Sequence, residues 1–130
     1  MNDTSFKRFM RYCLVGVIGF CTDGGLLQAG IHFMGWGVIV ARVPSFITAV
    51  LVTWYLNRGF TFRAQHKSFR ESFPAYIAAN AVGLAINFGT YSAGVLLSET
   101  LAQYPLVPLA VGAGLGLIFN FIAAKYIFRD

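Results

Sequence analysis

The sequence predicts an all-α membrane protein with four transmembrane helices, and three observations lead to this prediction. The first is composition, since the chain has 130 residues of which 57% are hydrophobic and 12% are charged. A soluble domain of this size is mostly surface and has no interior large enough for so many apolar side chains. The surplus is therefore expected to face lipid.

The second observation is the length of the apolar segments. A hydrocarbon layer about 30 Å thick requires about 20 residues of helix at about 1.5 Å per residue. Four segments meet this requirement, and they comprise residues 9–33, 38–56, 74–97 and 106–124. We expect these spans to form one transmembrane domain over residues 1–130.

The third observation is the placement of positive charge. Nine of the ten Lys and Arg residues flank the spans on one predicted side of the membrane, which the positive-inside rule makes cytoplasmic. Both termini are then cytoplasmic (N-in/C-in), and the net charge of +5 favours contact with anionic membrane lipids over nucleic acid. The nine residues are Lys7, Arg8, Arg11, Arg58, Arg63, Lys67, Arg70, Lys125 and Arg129.

The chain also contains a weak internal repeat. Each half is one helical hairpin with an aromatic, basic end, and because each hairpin has two crossings, the two are expected to have the same orientation. A shift of 64 places Tyr12, Gly19, Asp23 and Gly25 onto Tyr76, Gly83, Asn87 and Gly89, and a shift of 66 places Tyr55, Phe60, Phe62 and Arg63 onto Phe121, Tyr126, Phe128 and Arg129.

Small and polar residues recur at helical spacing and predict inward faces. Gly112, Gly116 and Asn120 recur every four residues in the fourth span, a pattern that allows close approach of another helix. Four helices alone enclose little space between them. We therefore expect a homo-oligomer packed through the glycine faces.

Asp23 lies in the middle of the first span, where insertion scales assign one Asp a cost of about 2.5–3.5 kcal/mol. Three interpretations stay open, besides simple helix packing. The carboxylate is paired with Arg42, or it is protonated, or it contacts a cation, a proton or the hydroxyls of a substrate. Asp23 lies about 9 Å deeper than Arg42 at helical rise, so a direct pair requires the Arg side chain to reach inward.

Three cations lie nearest to the apolar spans, namely Arg42, Arg58 and Lys125. A lipid phosphate favours such partners, as a compact charge or a bidentate fork. Arg58 and Lys125 also end helices, and there they would extend to the headgroups in most membrane proteins.

Amide side chains are the other polar groups in the spans. They either form hydrogen bonds between helices or bind sugar hydroxyls. The candidates are Asn57, Asn80, Asn87 and Asn120.

The sequence contains no arrangement of residues that is typical of an enzyme active site. His32 and His66 are the two histidines, and neither has a Ser or Cys nucleophile at plausible spacing. We find no metal-ligand cluster, nucleotide-binding loop or dinucleotide motif. The sequence thus predicts no catalytic residue, no metal and no cofactor, and a protein that is not an enzyme.

From Phe6 to Phe128 the chain resembles the GtrA-like family of small four-span bacterial membrane proteins. The most specific part of the resemblance is Leu-Asn-Arg-x-Phe-Thr-Phe within Trp54–Arg63. Further matching positions are Phe9–Gly19 with Asp23, Ser45 with Phe46, Phe119–Phe121, and Lys125–Phe128.

The resemblance implies a role in cell-surface polysaccharide synthesis at the bacterial cytoplasmic (inner) membrane. Family members are proposed to flip polyprenyl-phosphate-linked sugars, or to assist the glycosyltransferases that use them. The positions that match the family pattern are Asp23, Asn57, Arg58, Asn120 and Lys125, whereas Arg42, Asn80 and Asn87 come from periodicity.

We therefore expect a translocase of polyprenyl-phosphate-linked sugar that works without ATP. One alternative is a non-transporting assembly subunit that holds a membrane glycosyltransferase, in which Asp23 and Arg42 tolerate neutral replacement. Another is a small proton-coupled exporter of cations, in which Asp23 dominates and the basic residues are dispensable.

Overall fold

A computed structural model describes residues 3–129, with the side chains from Ser5 onward, and this part of the chain is helical without a β-strand. A π-helical turn, Asn57–Thr61, follows the second helix directly. The helices are α1 (Asp3–Phe33), α2 (Val38–Leu56), α3 (Phe69–Leu97), α4 (Glu99–Gln103) and α5 (Leu106–Ile127). The all-α prediction is confirmed.

Three of the described helices are long and apolar enough to cross a membrane, over Ser5–Phe33, Val38–Thr61 and Leu106–Ile127. The helix α3 has 29 residues and includes the predicted span 74–97, but amide and hydroxyl side chains lower its mean hydropathy. It is not among the three. The membrane crossing predicted for the third span, residues 74–97, therefore stays a prediction.

The chain divides into two compact units, residues 3–68 and Phe69–Arg129, which we call hairpin 1 and hairpin 2. In hairpin 1, α1 packs against α2, and in hairpin 2, α3 packs against α5. The two halves of the sequence repeat lie in different units. In each hairpin we call the end with the first helix's N-terminus and the last helix's C-terminus the basic end.

The repeat is visible in matching aromatic contacts at the two basic ends. The Tyr12 and Phe62 rings meet edge to face with centroids 6.4 Å apart in hairpin 1. Their repeat counterparts in hairpin 2, Tyr76 and Phe128, have centroids 5.8 Å apart. All four side chains are buried, so each contact ties the start of one helix to the segment that follows its partner.

The turn between α1 and α2 depends on two glycines. Gly35 has a φ of +70°, which residues other than glycine rarely adopt. The Trp36 N–H donates to the Gly30 carbonyl at 3.0 Å, and the indole lies where a side chain on Gly30 would project. The turn lies between the predicted spans 9–33 and 38–56, and the end of α1 and the start of α2 agree with those bounds.

The connection between α3 and α5 contains the short helix α4 rather than a simple loop. Ser98 caps this helix, because its Oγ accepts a hydrogen bond from the Leu101 N–H at 3.2 Å.

The glycine face of α5 is used inside hairpin 2. Gly112 and Gly116 are buried, the first beside the Asn87 carbonyl and the second beside the Gly83 carbonyl of α3. The prediction of close helix approach is therefore confirmed. Gly112 and Gly116 are covered by their own hairpin, and the homo-oligomer packed through the glycine faces stays a prediction that would have to use other glycines.

Candidate functional site

Asp23 of α1 and Arg42 of α2 form an ion pair, with Nη1 of the guanidinium donating to Oδ2 of the carboxylate. Asp23 lies about 15 Å from the end of α1 along the helix, and Arg42 about 6 Å from the start of α2. The Arg side chain therefore extends inward along the hairpin to reach the acid. Of the interpretations that the sequence left open for Asp23, the ion pair is the one observed.

The pair leaves polar capacity on both partners. Asp23 Oδ1 is buried and has no hydrogen-bond partner in the described part of the chain. The side chain of Arg42 is 44% exposed, against 19% for Asp23, and its guanidinium carbon lies 5.8 Å from the Phe46 ring centroid. The site thus offers an exposed cation with spare donors beside an acceptor oxygen, within two apolar helices.

Asn57 begins the π-helical turn and is 2% exposed. Its Oδ1 accepts a hydrogen bond from Thr61 Oγ1 at 2.7 Å, and its backbone carbonyl accepts one from the Phe62 N–H at 2.9 Å. These bonds hold the turn that directs Phe62 onto Tyr12. Asn57 therefore contributes to the local structure of the family-like motif.

Arg58 holds the loop that follows this turn. Its Nε donates to the Lys67 carbonyl and its Nη2 to the Gln65 carbonyl, the latter at 2.6 Å, and the guanidinium lies 5.4 Å from the Trp54 ring centroid. Hydrogen bonds from a charged donor are stronger than neutral ones. The geometry therefore gives Arg58 a loop-stabilising contact that the sequence did not predict.

We expect Arg58→Gln to loosen this loop, because the shorter amide cannot reach both carbonyls. Losing charge-assisted bonds worth about 1.5–3 kcal/mol is expected to speed amide hydrogen exchange of residues 64–68 about tenfold. Exchange measured by mass spectrometry checks this, with Arg70→Gln as a control of equal charge change. Equal exchange in the native chain and Arg58→Gln would contradict the assigned contact.

The asparagines of hairpin 2 lie along the α3–α5 contact. Asn80 Nδ2 donates to the Tyr76 carbonyl of its own helix at 2.9 Å. Asn87 lies against Gly112, and Asn120 lies against Gly83. The Asn120 Oδ1 is buried without a hydrogen-bond partner among the described residues, so it keeps an acceptor for a hydroxyl or a water.

Lys125 lies at the basic end of hairpin 2. Its Nζ is 5.7 Å from the Phe121 ring centroid, and it lines a mostly apolar cavity of about 370 Å³ together with Ile122, Tyr126 and Arg129. Arg129 is the repeat counterpart of Arg63. Two cations beside an apolar cavity suit an anionic headgroup with its chain in lipid.

The structure thus brings together Asp23 and Arg42, and it places the other predicted site residues at separate positions within their hairpins. Sequence reasoning missed a second feature of hairpin 1, a cleft of about 280 Å³ at its basic end. Its charged residues were counted for topology and not as a site. The i, i+4 spacing of Lys7 and Arg11 was the available signal.

The comparisons with known proteins agree with the resemblance found in the sequence. A family model described as GtrA/DPMS, transmembrane domain, matches residues 11–128. The chain is 27% identical over 126 residues to the bactoprenol-linked glucose translocase of Salmonella phage P22, across 95% of this chain and 97% of that protein. No solved structure matches the chain.

Two further relatives have the same coverage, at 26% identity over 127 residues. They are the prophage bactoprenol-linked glucose translocase homolog of Escherichia coli (strain K12) and the bactoprenol-linked glucose translocase of Shigella phage SfX.

Apolar helices of spanning length and a match to a transmembrane-domain model define a multi-pass, all-helical membrane protein. The chain belongs to the GtrA/DPMS transmembrane-domain family, because the family model matches nearly its whole length. The GtrA-like resemblance is therefore confirmed.

Proposed function

We propose that this protein translocates a polyprenyl-phosphate-linked sugar across the bacterial cytoplasmic membrane for cell-surface polysaccharide synthesis. The observation that carries the proposal is the Asp23–Arg42 pair, a cation with spare donors and an acceptor oxygen inside apolar helices. The related translocases, whose names specify bactoprenol-linked glucose, support the substrate class and make glucose the first sugar to test.

The proposed topology is one four-span domain with both termini in the cytoplasm. In it α3 is the third crossing, and its amide face needs protein or substrate partners because lipid supplies none. The grouping of nine of the ten Lys and Arg residues supports this orientation. Both hairpins then have their basic ends on the cytoplasmic side.

The proposed roles follow from chemistry and position. Lys125 and the charge of Arg58 attract the lipid phosphate at the cytoplasmic side, and Arg42 receives it nearer the outer side. The sugar hydroxyls exchange hydrogen bonds with the polar groups within each hairpin, while the prenyl chain stays in lipid. The amide groups proposed for this role are those of Asn57, Asn80, Asn87 and Asn120, with Asp23 as the acid.

The proposed process moves the substrate without changing it, so it requires no catalytic residue. We propose a homo-oligomer as the working form, formed through surfaces other than the buried glycine face of α5, with a membrane glycosyltransferase as a partner. Exposed apolar side chains on α2 such as Ile39 and Val43 are available for lipid or such partners.

The test is the movement of fluorescent polyprenyl-phosphate-glucose in liposomes that contain only this protein. We expect protein-dependent loss of the label from the outer leaflet, detected by a membrane-impermeant quencher, at least tenfold faster than in empty liposomes. A polyprenyl-phosphate without sugar, tested beside it, reports whether the hydroxyls contribute.

The matched protein control is Gly114→Ala, because a side chain at this position meets no atom within 4 Å. Native rates in this variant would show that reconstitution tolerates a neutral change. Folded native protein that moves none of several lipid-linked sugars would overturn the translocase proposal and favour the assembly subunit.

A further inference from the structure

The cleft at the basic end of hairpin 1 gathers cations from two segments that are distant in sequence. The first turns of α1 contribute Lys7, Arg8 and Arg11, and the segment after the π-helical turn contributes Arg63. Thr61 and Phe62 complete the lining of this cavity of about 280 Å³. The buried contact between Phe62 and Tyr12 draws the two segments together.

The positive charge in the cleft has no counter-charge within its lining. None of the lining residues is acidic. The side chains of Lys7, Arg8 and Arg63 form no ion pair or hydrogen bond with the described residues, and Arg11 lies 5.5 Å from the Phe60 ring centroid. Like charges gathered in this way repel one another unless an anion neutralises them.

The backbone of Arg63 has an unfavourable conformation that places its side chain in the lining of the cleft. Its φ is +50°, in the left-handed region that a bulky side chain rarely adopts. Hydrogen bonds on both sides hold it there, from the Phe62 N–H to the Asn57 carbonyl at 2.9 Å and from the Ala64 N–H to the Arg58 carbonyl at 2.6 Å. The side chain of Arg63 consequently lines the cleft.

An apolar ridge runs along the same helix beside the cleft. Phe6, Met10 and Leu14 recur every four residues on α1 and are 56%, 52% and 52% exposed. An anionic group in the cleft would thus adjoin a strip that suits a long hydrocarbon chain. A phosphate on a lipid has both parts, and it suits Arg and Lys because it accepts bidentate and point-charge contacts.

We propose that Lys7, Arg8, Arg11 and Arg63 form the binding site for the phosphate group of a polyprenyl-phosphate lipid, before the sugar moves across the membrane. The identity of the lipid rests on the proposed function, whereas the phosphate chemistry rests on the cleft itself. The site is distinct from the Asp23–Arg42 pair, and it gives the basic residues at the start of α1 a role besides setting topology.

The experiment measures binding of polyprenyl-phosphate-glucose to the full chain in nanodiscs of phosphatidylcholine. Arg8→Gln/Arg63→Gln is expected to weaken binding at least tenfold, and because neither side chain has a hydrogen-bond or ion-pair partner among the described residues, folding is expected to be unchanged. The control Lys67→Gln/Arg70→Gln loses the same charge outside the lining of the cleft and is expected to stay within twofold of the native affinity. Arg8→Lys/Arg63→Lys is expected to retain most of the binding.

The ligand arms identify the group that is recognised. Polyprenol without phosphate is expected to bind at least tenfold more weakly, with no difference between the native chain and Arg8→Gln/Arg63→Gln. Phosphatidylglycerol is expected to compete poorly. Equal loss of binding in the control double variant, equal binding of polyprenol, or equal competition by phosphatidylglycerol would each overturn the proposal.

A flipping measurement on the same variants separates this proposal from the proposed function. Cleft-dependent binding by a native chain that flips nothing would support the phosphate site and overturn the translocase. Native flipping and native affinity in a folded Arg8→Gln/Arg63→Gln chain would overturn the phosphate site and leave the translocase intact. If that double variant does not fold, Lys7→Gln/Arg11→Gln replaces it in both measurements.

Discussion

Arg42→Gln is expected to destabilise the protein more than Asp23→Asn, although both remove the same ion pair. In Arg42→Gln the carboxylate of Asp23 stays in mid-span without its partner, at a cost of about 2.5–3.5 kcal/mol. In Asp23→Asn the new amide oxygen still accepts from Arg42, whose side chain is 44% exposed and can extend toward the headgroups. The difference in thermal stability between the two variants is measured by heating each one in detergent and determining the remaining folded fraction by size-exclusion chromatography.

The double variant Asp23→Asn/Arg42→Gln separates stability from transport. With both charges removed, we expect its thermal stability to return close to that of the native chain, because no unpaired charge remains in the span. Its flipping rate is expected to stay at least tenfold below native, since Arg42, the cation proposed to receive the phosphate, is absent. The ion pair would be contradicted if both single variants were equally stable and if the stability change of the double variant were the sum of the two single changes.

Much of the fold follows from the sequence because helices and spans depend on local composition. The predicted second span, residues 38–56, coincides with α2, and the two halves of the repeat lie in two different compact units. The helix α1 begins at Asp3, six residues before the predicted span. Charged residues mark where a span leaves the lipid, but they do not have to end the helix. Span length alone does not locate that boundary.

The candidate site is less predictable because it depends on side-chain reach and on loops. Helical rise placed Asp23 and Arg42 at different depths, and the pair forms because the long Arg side chain covers that separation. Arg58 was expected to face lipid phosphate, yet its donors contact loop carbonyls nine and seven residues later in the chain. The left-handed backbone of Arg63 has no signature in a single sequence, since glycine or asparagine is the usual residue there.

The two hairpins differ most at the repeat position of the intramembrane acid. Asp23 in hairpin 1 pairs with a cation, while its counterpart Asn87 in hairpin 2 lies against the glycines of α5. Hairpin 2 therefore depends on close backbone packing where hairpin 1 depends on charge. Substitutions of glycine should consequently be most damaging in α5.

Gly112→Ala is expected to destabilise hairpin 2 by about 1–3 kcal/mol, the usual cost of overpacking a close contact. The added carbon would lie 2.5 Å from the Asn87 backbone carbonyl oxygen, and a backbone atom cannot move aside without separating α3 from α5. Gly19→Ala in α1 is expected to cost less, since its added carbon meets the Thr53 side chain, which can change rotamer. Thermal unfolding of the purified variants measures both.

The neighbouring Gly114 provides the matched control in the same helix. Because a side chain there meets nothing within 4 Å, Gly114→Ala is expected to be neutral or to stabilise α5 by up to about 1 kcal/mol through helix propensity. Equal stability of Gly112→Ala and Gly114→Ala would contradict the close α3–α5 packing. A loss confined to Gly112→Ala would mean that these glycines are needed within the chain, so that any oligomer must assemble through another face.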